Sequence, residues 1–437
     1  MKKYLYGVFA AEISSFSRFY DRIIECNRLP HDQGRLFDAI DCPEKIVCPQ
    51  AEDLPDLSPE TTKRTLILLN GTLNHSHDIQ GIFKIIKQKI SRNTRIVIVL
   101  YNPYLRWLYL LANLLGIRKG DAPSTFLTRT DINNLCRISG FEIVRSRMAG
   151  FFPFQWLFIG SILNRVLPVI PFLKHFGLTN ILILRPVVPE AAKPSLSVII
   201  PARNEAKNIE NALIRMPALP GTDLEIIFVE GHSTDETWEE IQSVQKKYAA
   251  RYRIKALRQN REGKNDAVKL GLSHAEGDLY VILDADLTMP PEQMQQFYEI
   301  YCDGIADFVN GSRLVYPMEK EAMRFLNRLG NVFFAKMLSH ILDARLSDSL
   351  CGTKLFSRHD YRLIQLWQKD FGKFDPFGDF ELLFPAAVLS IGIIDVPIRY
   401  RSRTYGSTNI SRFRHGLMLF KMVSIGFFRI KLGKTPK

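Results

Sequence analysis

Short apolar runs alternate with helical patterns along most of the 437-residue chain, and this alternation limits its fold more than any other feature. In the first part the strand-like runs are residues 65–69, 94–100, 141–144 and 181–184, with a helical pattern at 131–139. In the second part they are residues 197–200, 225–229, 279–283, 308–309 and 393–396. Apolar strands separated by helices are typical of parallel sheets covered by helices, so we predict an α/β protein.

A proline-rich stretch without periodicity, residues 185–195, separates the two parts. We therefore predict a first domain at 1–150, an apolar segment with a last strand and a linker at 151–194, and a second domain at 195–437. Residues 151–176 are very apolar, but Asn164, Arg165, Lys174 and three prolines interrupt them. A membrane-spanning helix needs ~20 uninterrupted apolar residues. A buried hairpin or an interfacial segment is the expectation here.

The formal net charge of +13 is concentrated near the C-terminus, where residues 396–437 hold ten Lys or Arg and no Asp or Glu. Such a block is either a solvated basic face or a site that attracts phosphate groups on a nucleotide or an anionic membrane. No nucleic-acid-binding motif accompanies it, so no nucleic acid partner is expected. The six cysteines form no C-x-x-C pair, which fits a reducing compartment and a cytoplasmic protein.

Two carboxylates, Asp284 and Asp286, follow the apolar run 279–283 in the stretch GDLYVILDADLTMPPE. In open α/β sheets ligands bind at the carboxyl ends of strands. Side chains at i and i+2 share one face of extended backbone, so both carboxylates can converge on one Mg²⁺ or Mn²⁺ ion. A turn-initiating Asp followed by a helix cap is the alternative.

Three more polar turns precede this strand, each between a strand-like run and a helix or just before a helix. They are residues 201–205 (PARNE), 230–236 (EGHSTDE) and 261–264 (REGK). The last places a glycine and Lys264 at a helix start, where backbone N–H groups and a cation can bind an anion. Together the turns predict one nucleotide pocket.

Ordered motifs over about residues 195–432 resemble family 2 glycosyltransferases, specifically the dolichyl-phosphate or polyprenyl-phosphate sugar synthases. The motifs are SVIIPARNE, STDET, DADLxxPPE, NGSR, CGTKLF and RTYGSTN. The resemblance implies a GT-A fold and an inverting hexosyltransferase that uses a GDP- or UDP-linked sugar, Mg²⁺ or Mn²⁺, and a polyprenyl phosphate. It also implies peripheral association with an anionic membrane surface, at its cytoplasmic face.

The resemblance also assigns roles to residues. It implies nucleotide contacts for Pro201, Ala202, Asn204, Glu205, Glu230 and Asp284, to which the turn at 261–264 adds Lys264. It implies metal contacts for Asp284 and Asp286, catalytic roles for Asp286, Arg313 and Arg403, and phosphate or acceptor contacts for Arg313, Lys354, Arg403 and Thr408. Three positions depart from the family pattern. Glu230-Gly-His-Ser replaces Asp-Asp-Gly-Ser, Thr288 replaces a Gln, and Asn409 replaces a Lys.

Transfer from a nucleotide diphosphate builds negative charge on the leaving group, which a metal and arginines can neutralise. A phosphate acceptor is already ionised near neutral pH and requires no general base. A saccharide or protein hydroxyl would require one, for which Asp348 and Asp379 are the candidates, although each can equally be a structural turn or cap. A non-catalytic scaffold is the third reading, supported by the altered turn at Glu230.

The first part of the chain resembles the later half of a class I SAM-dependent methyltransferase. The resemblance rests on residues 51–57, 65–75, 94–103 and 135–147. The glycine-rich turn that would hold SAM is missing, and Gly34 stands alone in HDQGRLF. Without that turn the backbone cannot approach the cofactor closely. We therefore expect a degenerate Rossmann-like domain that neither binds SAM nor catalyses methyl transfer.

Overall fold

The computed structural model describes residues 2–30, 32–59, 62–118, 121–316, 325–372, 375, 378–401, 405 and 412–433. The chain divides into two compact units. Unit 1 comprises Met1–Val188, Val388–Ser390 and Lys431–Lys434, and unit 2 comprises Pro189–Ala387, Ile391–Ile430 and Thr435–Lys437. The main break, between residues 188 and 189, falls inside the proline-rich stretch.

Unit 1 contains six strands and six α-helices in its described part. In chain order they are α1 Lys2–Ser17, β1 Arg22–Cys26, α2 Arg35–Ala39, β2 Glu44–Cys48, β3 Thr65–Asn70, α3 Ile79–Gln88, β4 Thr94–Tyr101, α4 Arg106–Leu114, α5 Arg129–Ile138, β5 Phe141–Ala149, α6 Ile159–Val166 and β6 Thr179–Pro186. The sheet order is β2-β1-β3-β4-β6-β5.

The inner strands β3, β4 and β6 of unit 1 are buried on both faces, which is why their sequences are nearly continuous apolar runs. Ile67 and Leu69 of β3 pack in one cluster with α3 and α5, whereas Leu66 and Leu68 face the opposite way, toward α1 and α2. The pairs β1–β2, β1–β3 and β3–β4 are parallel, as predicted, but the sheet as a whole is mixed. β6 runs antiparallel to both β4 and β5, because the chain leaves β5 and enters β6 at the same end of the sheet.

Unit 2 contains seven strands and eight α-helices in its described part. They are β7 Leu196–Ala202, α7 Ala206–Ile214, β8 Leu224–Glu230, α8 Thr237–Lys247, β9 Arg253–Arg258, α9 Lys264–His274, β10 Leu279–Ile282, α10 Met294–Cys302, β11 Phe308–Ser312, α11 Phe325–Leu342, β12 Lys354–Ser357, α12 Arg358–Phe371, α13 Asp379–Val388, β13 Ile393–Pro397 and α14 Arg412–Gly426. A π-helical turn, Phe427–Lys431, follows α14.

The sheet of unit 2 has the order β13-β11-β12-β10-β7-β8-β9. Helices α7, α8 and α10 pack on one face, against Val198 and Ile200 among others. Helix α9 lies on the other face, where Gly271 is so close to β7 that an added Cβ would be 2.5 Å from Ile199 Cγ2. This sheet is also mixed, because β12 pairs antiparallel with β10 and β11. The sequence patterns did not predict β1, β2, β9 or β12.

Within the described residues no helix combines the length and the apolar character that crossing a bilayer requires.

Candidate active site

The carboxyl ends of β10, β7 and β8 lie side by side, because β7 pairs in parallel with both of its neighbours. Asn204 and Glu205 follow β7, Glu230 ends β8, and Asp284 comes two residues after β10. These residues are far apart in the sequence and share one edge of the sheet. That edge is where ligands bind in open α/β sheets.

Asp284 and Asp286 lie in a tight turn, so the premise that they stand on extended backbone is wrong. The strand pairing ends at Leu283, whose backbone N–H donates to the Ile199 carbonyl at 3.0 Å. The chain then turns: Leu287, which has a φ of 53°, donates its N–H to the Asp284 carbonyl at 3.3 Å. Asp286 Oδ1 accepts hydrogen bonds from Thr288 N (3.1 Å) and Thr288 Oγ1 (2.8 Å). Asp side chains favour such hydrogen bonds to neighbouring residues, and here these bonds stabilise a turn instead of a continued β-strand.

An ammonium group contacts the first of the two carboxylates. Lys264 Nζ lies 2.5 Å from Asp284 Oδ1, and both side chains are partly exposed. Desolvation opposes the charge on Lys264, but Asp284 and Asp379 outweigh it and raise the pKa of this lysine. Burial likewise favours neutral Asp284, but Lys264, Lys354 and Arg313 outweigh it and lower the pKa of Asp284. Three cations that the sequence predicted as nucleotide or phosphate contacts therefore favour the ionised form of one carboxylate.

The backbone of Gly352 lies against this ion pair. An added Cβ at that position would be 2.3 Å from Lys264 Nζ and 2.5 Å from Asp284 Oδ2. The glycine belongs to the CGTKLF motif, which leads into β12, and β12 is the neighbour of β10 in the sheet. A side chain there would have to displace the Lys264 and Asp284 side chains, so the motif's glycine leaves room for this ion pair, which the sequence did not show.

A second lysine–aspartate pair involves the same motif. Lys354 is fully buried, donates to the Cys351 carbonyl, and contacts Asp379 Oδ1 at 2.6 Å. Asp379 is the first residue of α13, where a carboxylate is favoured by the helix dipole. Predicted as an alternative base, Asp379 instead holds a buried ammonium group in this structure.

Arg313 follows β11 and forms a bidentate pair with Asp348. Its Nε lies 2.7 Å from Asp348 Oδ2 and its Nη2 lies 2.9 Å from Asp348 Oδ1. The fully buried carboxylate also accepts from the backbone of Arg313 and Leu350 and from Asn331 Nδ2. With so many donors Asp348 is placed to orient Arg313, and the geometry favours a structural role over that of a base.

The turn after β7 is fastened to the turn after β8. Asn204, with a φ of 57°, donates its N–H to Ser233 Oγ at 3.0 Å, and its Oδ1 accepts from Thr234 N at 2.8 Å. Glu205 donates its N–H to Thr237 Oγ1 at 2.9 Å. These hydrogen bonds connect the two turns, so their polar residues are held in fixed positions relative to one another.

Glu230 is buried and engaged at the altered turn. Its Oε1 accepts from Ser233 N at 2.5 Å, and its Oε2 lies 3.8 Å from Arg258 Nε. Of the two neighbouring β7 residues, Pro201 pairs with Val229, and the Ala202 carbonyl accepts from Gly231 N at 2.9 Å. Glu230 has a longer side chain than the Asp of the family pattern, and in this structure that side chain accepts a hydrogen bond from its own turn.

Tyr405 adds a contact that sequence reasoning missed. Its hydroxyl donates to Asp235 Oδ2 at 3.4 Å, and Lys207 Nζ lies 5.2 Å from the centre of its ring. Tyr405 belongs to the RTYGSTN motif, so at least this residue lies beside the β8–α8 turn. Arg403 and Thr408 of the same motif, and Asn409, lie outside the described residues.

Among the described residues no three His, Cys, Asp or Glu side chains are grouped in a way that would hold a metal ion. Asp284 and Asp286 supply carboxylate oxygens, the ligands that hard divalent cations prefer. An ion held by only these two residues would take its remaining ligands from a substrate and from water.

The family described as "Glycosyl transferase family 2" matches residues 197–364, which include every site residue above from Pro201 to Lys354. Residues 197–364 of unit 2 are therefore similar to family 2 glycosyltransferases. The match spans β7 to the first half of α12, and so contains the strand edge, the two-carboxylate turn and both lysines.

Three curated relatives are similar to part of the chain. The dolichol-phosphate mannosyltransferase of Pyrococcus furiosus is 38% identical over 136 residues, which are 31% of this chain and 37% of that protein. The dolichyl-phosphate hexose transferase of Haloferax volcanii is 29% identical over 228 residues, 52% of this chain and 92% of that protein. The chain thus spans little more than a third of the length of the Pyrococcus protein.

A third relative is the undecaprenyl-phosphate 4-deoxy-4-formamido-L-arabinose transferase of an Enterobacter species. It is 26% identical over 235 residues, 52% of this chain and 66% of that protein. Among solved structures, glucosyl-3-phosphoglycerate synthase of Mycobacterium tuberculosis is 19% identical and has a TM-score of 0.39, covering 55% of this chain and 79% of its own.

Proposed function

We propose that the chain transfers a sugar from a nucleotide diphosphate to a polyprenyl or dolichyl phosphate, using a divalent cation and a GT-A domain. The observation that carries the proposal is the pairing of Asp284 with Lys264 at 2.5 Å, at the same end of the sheet as Lys354, which begins β12, and Arg313, which follows β11. They lie at the sheet edge that holds Asn204 and Glu205. The names of the three curated relatives support a lipid phosphate acceptor.

The charge distribution suits a reaction between two phosphates. Departure of the nucleotide diphosphate leaves negative charge that must be stabilised where water is excluded. Arg313 is held by Asp348 in a fixed orientation, so little conformational freedom is lost when its guanidinium meets phosphate oxygens. The acceptor phosphate is itself anionic, and lysines near the site reduce its repulsion from the donor.

Asp284 and Asp286 are the residues that would hold Mg²⁺ or Mn²⁺. Their carboxylate oxygens fit a hard cation, and a bound cation would supply Lewis-acid stabilisation of the diphosphate. The positive charge of Lys264 stabilises the ionised form of Asp284, so this carboxylate carries a negative charge. Thr288 keeps Asp286 oriented through two hydrogen bonds.

A hydroxyl acceptor is the second candidate, and the geometry favours it less. Asp348 is fully buried and already accepts from Arg313, Asn331 and Leu350. Asp379 is paired with buried Lys354. Neither carboxylate is arranged to accept a proton from an incoming hydroxyl group. A phosphate acceptor needs no such group.

The test is mass spectrometry of lipid extracts after incubation of the purified protein with polyprenyl phosphate, Mg²⁺ or Mn²⁺, and a panel of GDP- and UDP-sugars. The expected result is one glycosylated lipid phosphate that disappears with Asp286→Asn. Asp223→Asn is the matched control, because Asp223 is a surface residue of unit 2 that pairs with Arg253 at 3.5 Å. Slow hydrolysis of the donor without a lipid product would refute the acceptor. Failure of every donor to bind would favour a scaffold.

A further inference from the structure

Two apolar segments of unit 1 turn their side chains outward. Helix α4 has the sequence RWLYLLANL, and none of its residues is buried. In residues 154–176, Trp156, Phe158 and Phe172 are each at least 66% exposed, and Gly160 is the only buried residue of α6. Monomeric soluble proteins rarely expose large contiguous apolar patches, and those that exist mark sites of interaction.

The register of the sheet brings both segments to one end of unit 1. Tyr101 at the end of β4 pairs with Thr179 at the start of β6, and Thr179 pairs with Ala149 at the end of β5. Helix α4 follows Tyr101, and residues 150–178 connect Ala149 to Thr179. Asn102 Nδ2, just before α4, also donates to the carbonyls of His175 (2.9 Å) and Gly177 (2.7 Å). The two segments therefore lie at the same end of the unit 1 sheet.

The outward-facing segment is held by polar contacts on its inner side. Asn164 Oδ1 accepts from the backbone N–H groups of Phe151 (2.6 Å) and Phe152 (3.0 Å). Its Nδ2 donates to the Phe152 carbonyl at 2.8 Å and to the Tyr4 hydroxyl at 3.2 Å. Polar groups are thus satisfied inside while aromatic and aliphatic side chains point out, which is the reverse of a water-facing loop.

The charges of these two segments have one sign. Residues 102–118 and 150–178 contain Arg106, Arg118, Arg165 and Lys174 but no Asp or Glu. Exposed Trp and Phe with flanking Arg and Lys, and without acidic residues, are the composition of proteins that lie in a membrane interface. An anionic lipid surface repels carboxylates, which explains why these residues include no Asp or Glu. A protein partner of ordinary composition would not explain it.

We propose that α4 and residues 154–176 form a membrane-binding surface through which unit 1 inserts apolar side chains into the interface of an anionic bilayer. The surface belongs to unit 1, not to the glycosyltransferase domain. The proposal does not depend on which sugar or acceptor unit 2 uses. It assigns the first unit a role as the lipid-binding module of the chain.

The test is co-sedimentation of the full chain with phosphatidylcholine vesicles that contain or lack phosphatidylglycerol, with no polyprenyl phosphate and no nucleotide sugar. Binding is expected to be much stronger when the anionic lipid is present. The double variant Leu114→Glu/Trp156→Glu should lose at least about 10-fold of that binding, because each charge must leave water to insert. The control is Ile138→Glu, an equally exposed apolar residue (72%) in α5.

Three results would overturn the proposal. One is equal vesicle binding by the double variant and the wild type. Another is loss of binding in the Ile138→Glu control to the same degree. The third is self-association of the wild-type chain, measured by light scattering, that the double variant abolishes while vesicles are not bound; this would make the surface an interface between copies. Circular dichroism of both variants establishes that they are folded.

Discussion

Lys264 Nζ lies 2.5 Å from Asp284 Oδ1, so the first carboxylate of the DAD turn already has a cation at its side. The lysine comes from the start of α9 and the aspartate from the turn after β10. Because both residues face the edge where the nucleotide is proposed to bind, this pair connects the anion-binding turn to the proposed metal site.

Replacing Lys264 by Ala would remove the proposed charge-assisted contact to the diphosphate and leave Asp284 without its paired cation. Charged hydrogen bonds contribute about 1.5–3 kcal/mol, so we expect kcat/KM for the nucleotide sugar to fall roughly 10- to 100-fold. Steady-state kinetics measures this. Lys269→Ala is a control for loss of a lysine on the same helix, since Lys269 pairs with Glu381. An unchanged kcat/KM in Lys264→Ala would remove this lysine from the site.

Gly352→Ala should impair turnover without unfolding the protein. The new methyl group would displace the ends of two flexible side chains, Lys264 Nζ and Asp284 Oδ2, rather than backbone. Because the added methyl group also occupies space beside the Asp284 carboxylate, the metal concentration required for half-maximal activity should rise. Gly330→Ala is the control, because a Cβ at that position in α11 meets nothing within 4 Å. A wild-type metal dependence in Gly352→Ala would show that the pair is not part of the metal site.

Asp348→Ala should destabilise unit 2 by about 3 kcal/mol, because it leaves the largely buried Arg313 without its partner. Denaturant unfolding measures the change. A general base would behave differently: its removal would abolish turnover with a free energy of unfolding close to that of the wild type. That outcome would restore the hydroxyl-acceptor reading.

The same pair predicts a dependence of stability on pH. Burial raises the pKa of Asp348, but Arg313 outweighs it, so the pKa is lowered in the folded state. The pair therefore stabilises the fold fully above the unfolded-state pKa of about 3.9, and this contribution is lost as the pH falls through the lower folded-state pKa. Unfolding measured between about pH 2 and pH 6 should show a shallower acid limb in Asp348→Asn than in the wild type. Parallel limbs would contradict the assignment.

Thr288→Val tests the departure from the family pattern beside the DAD turn. It removes the 2.8 Å hydrogen bond to Asp286 Oδ1 and keeps the backbone donor. We expect a loss of about 1 kcal/mol in stability and a weaker apparent affinity for Mn²⁺, because Asp286 becomes less well oriented. Metal titration of activity and thermal unfolding give the two values. A change in stability alone would make Thr288 a purely structural residue.

The sequence by itself determined the α/β class and most of the strands, and it supplied the linker and the site turns as predictions. Apolar runs such as 65–69 and 279–283 are local signals, and the polar residues of a motif such as PARNE can be recognised from the motif alone. These features require no knowledge of distant residues. Strands with mixed composition, such as β9 (RIKALR), have no such local signal and were missed.

Only the tertiary structure decided which charges meet. Lys264 and Asp284 are twenty residues apart, and Lys354 and Asp379 come together from different elements. Whether Asp348 is a base or the partner of Arg313 depends on the pairing of strands and on burial. The same holds for the outward direction of the apolar side chains in residues 154–176, which the sequence left open between a buried hairpin and an interfacial segment. Coulomb and packing energies depend on distances through space, and these are fixed only when the chain is folded.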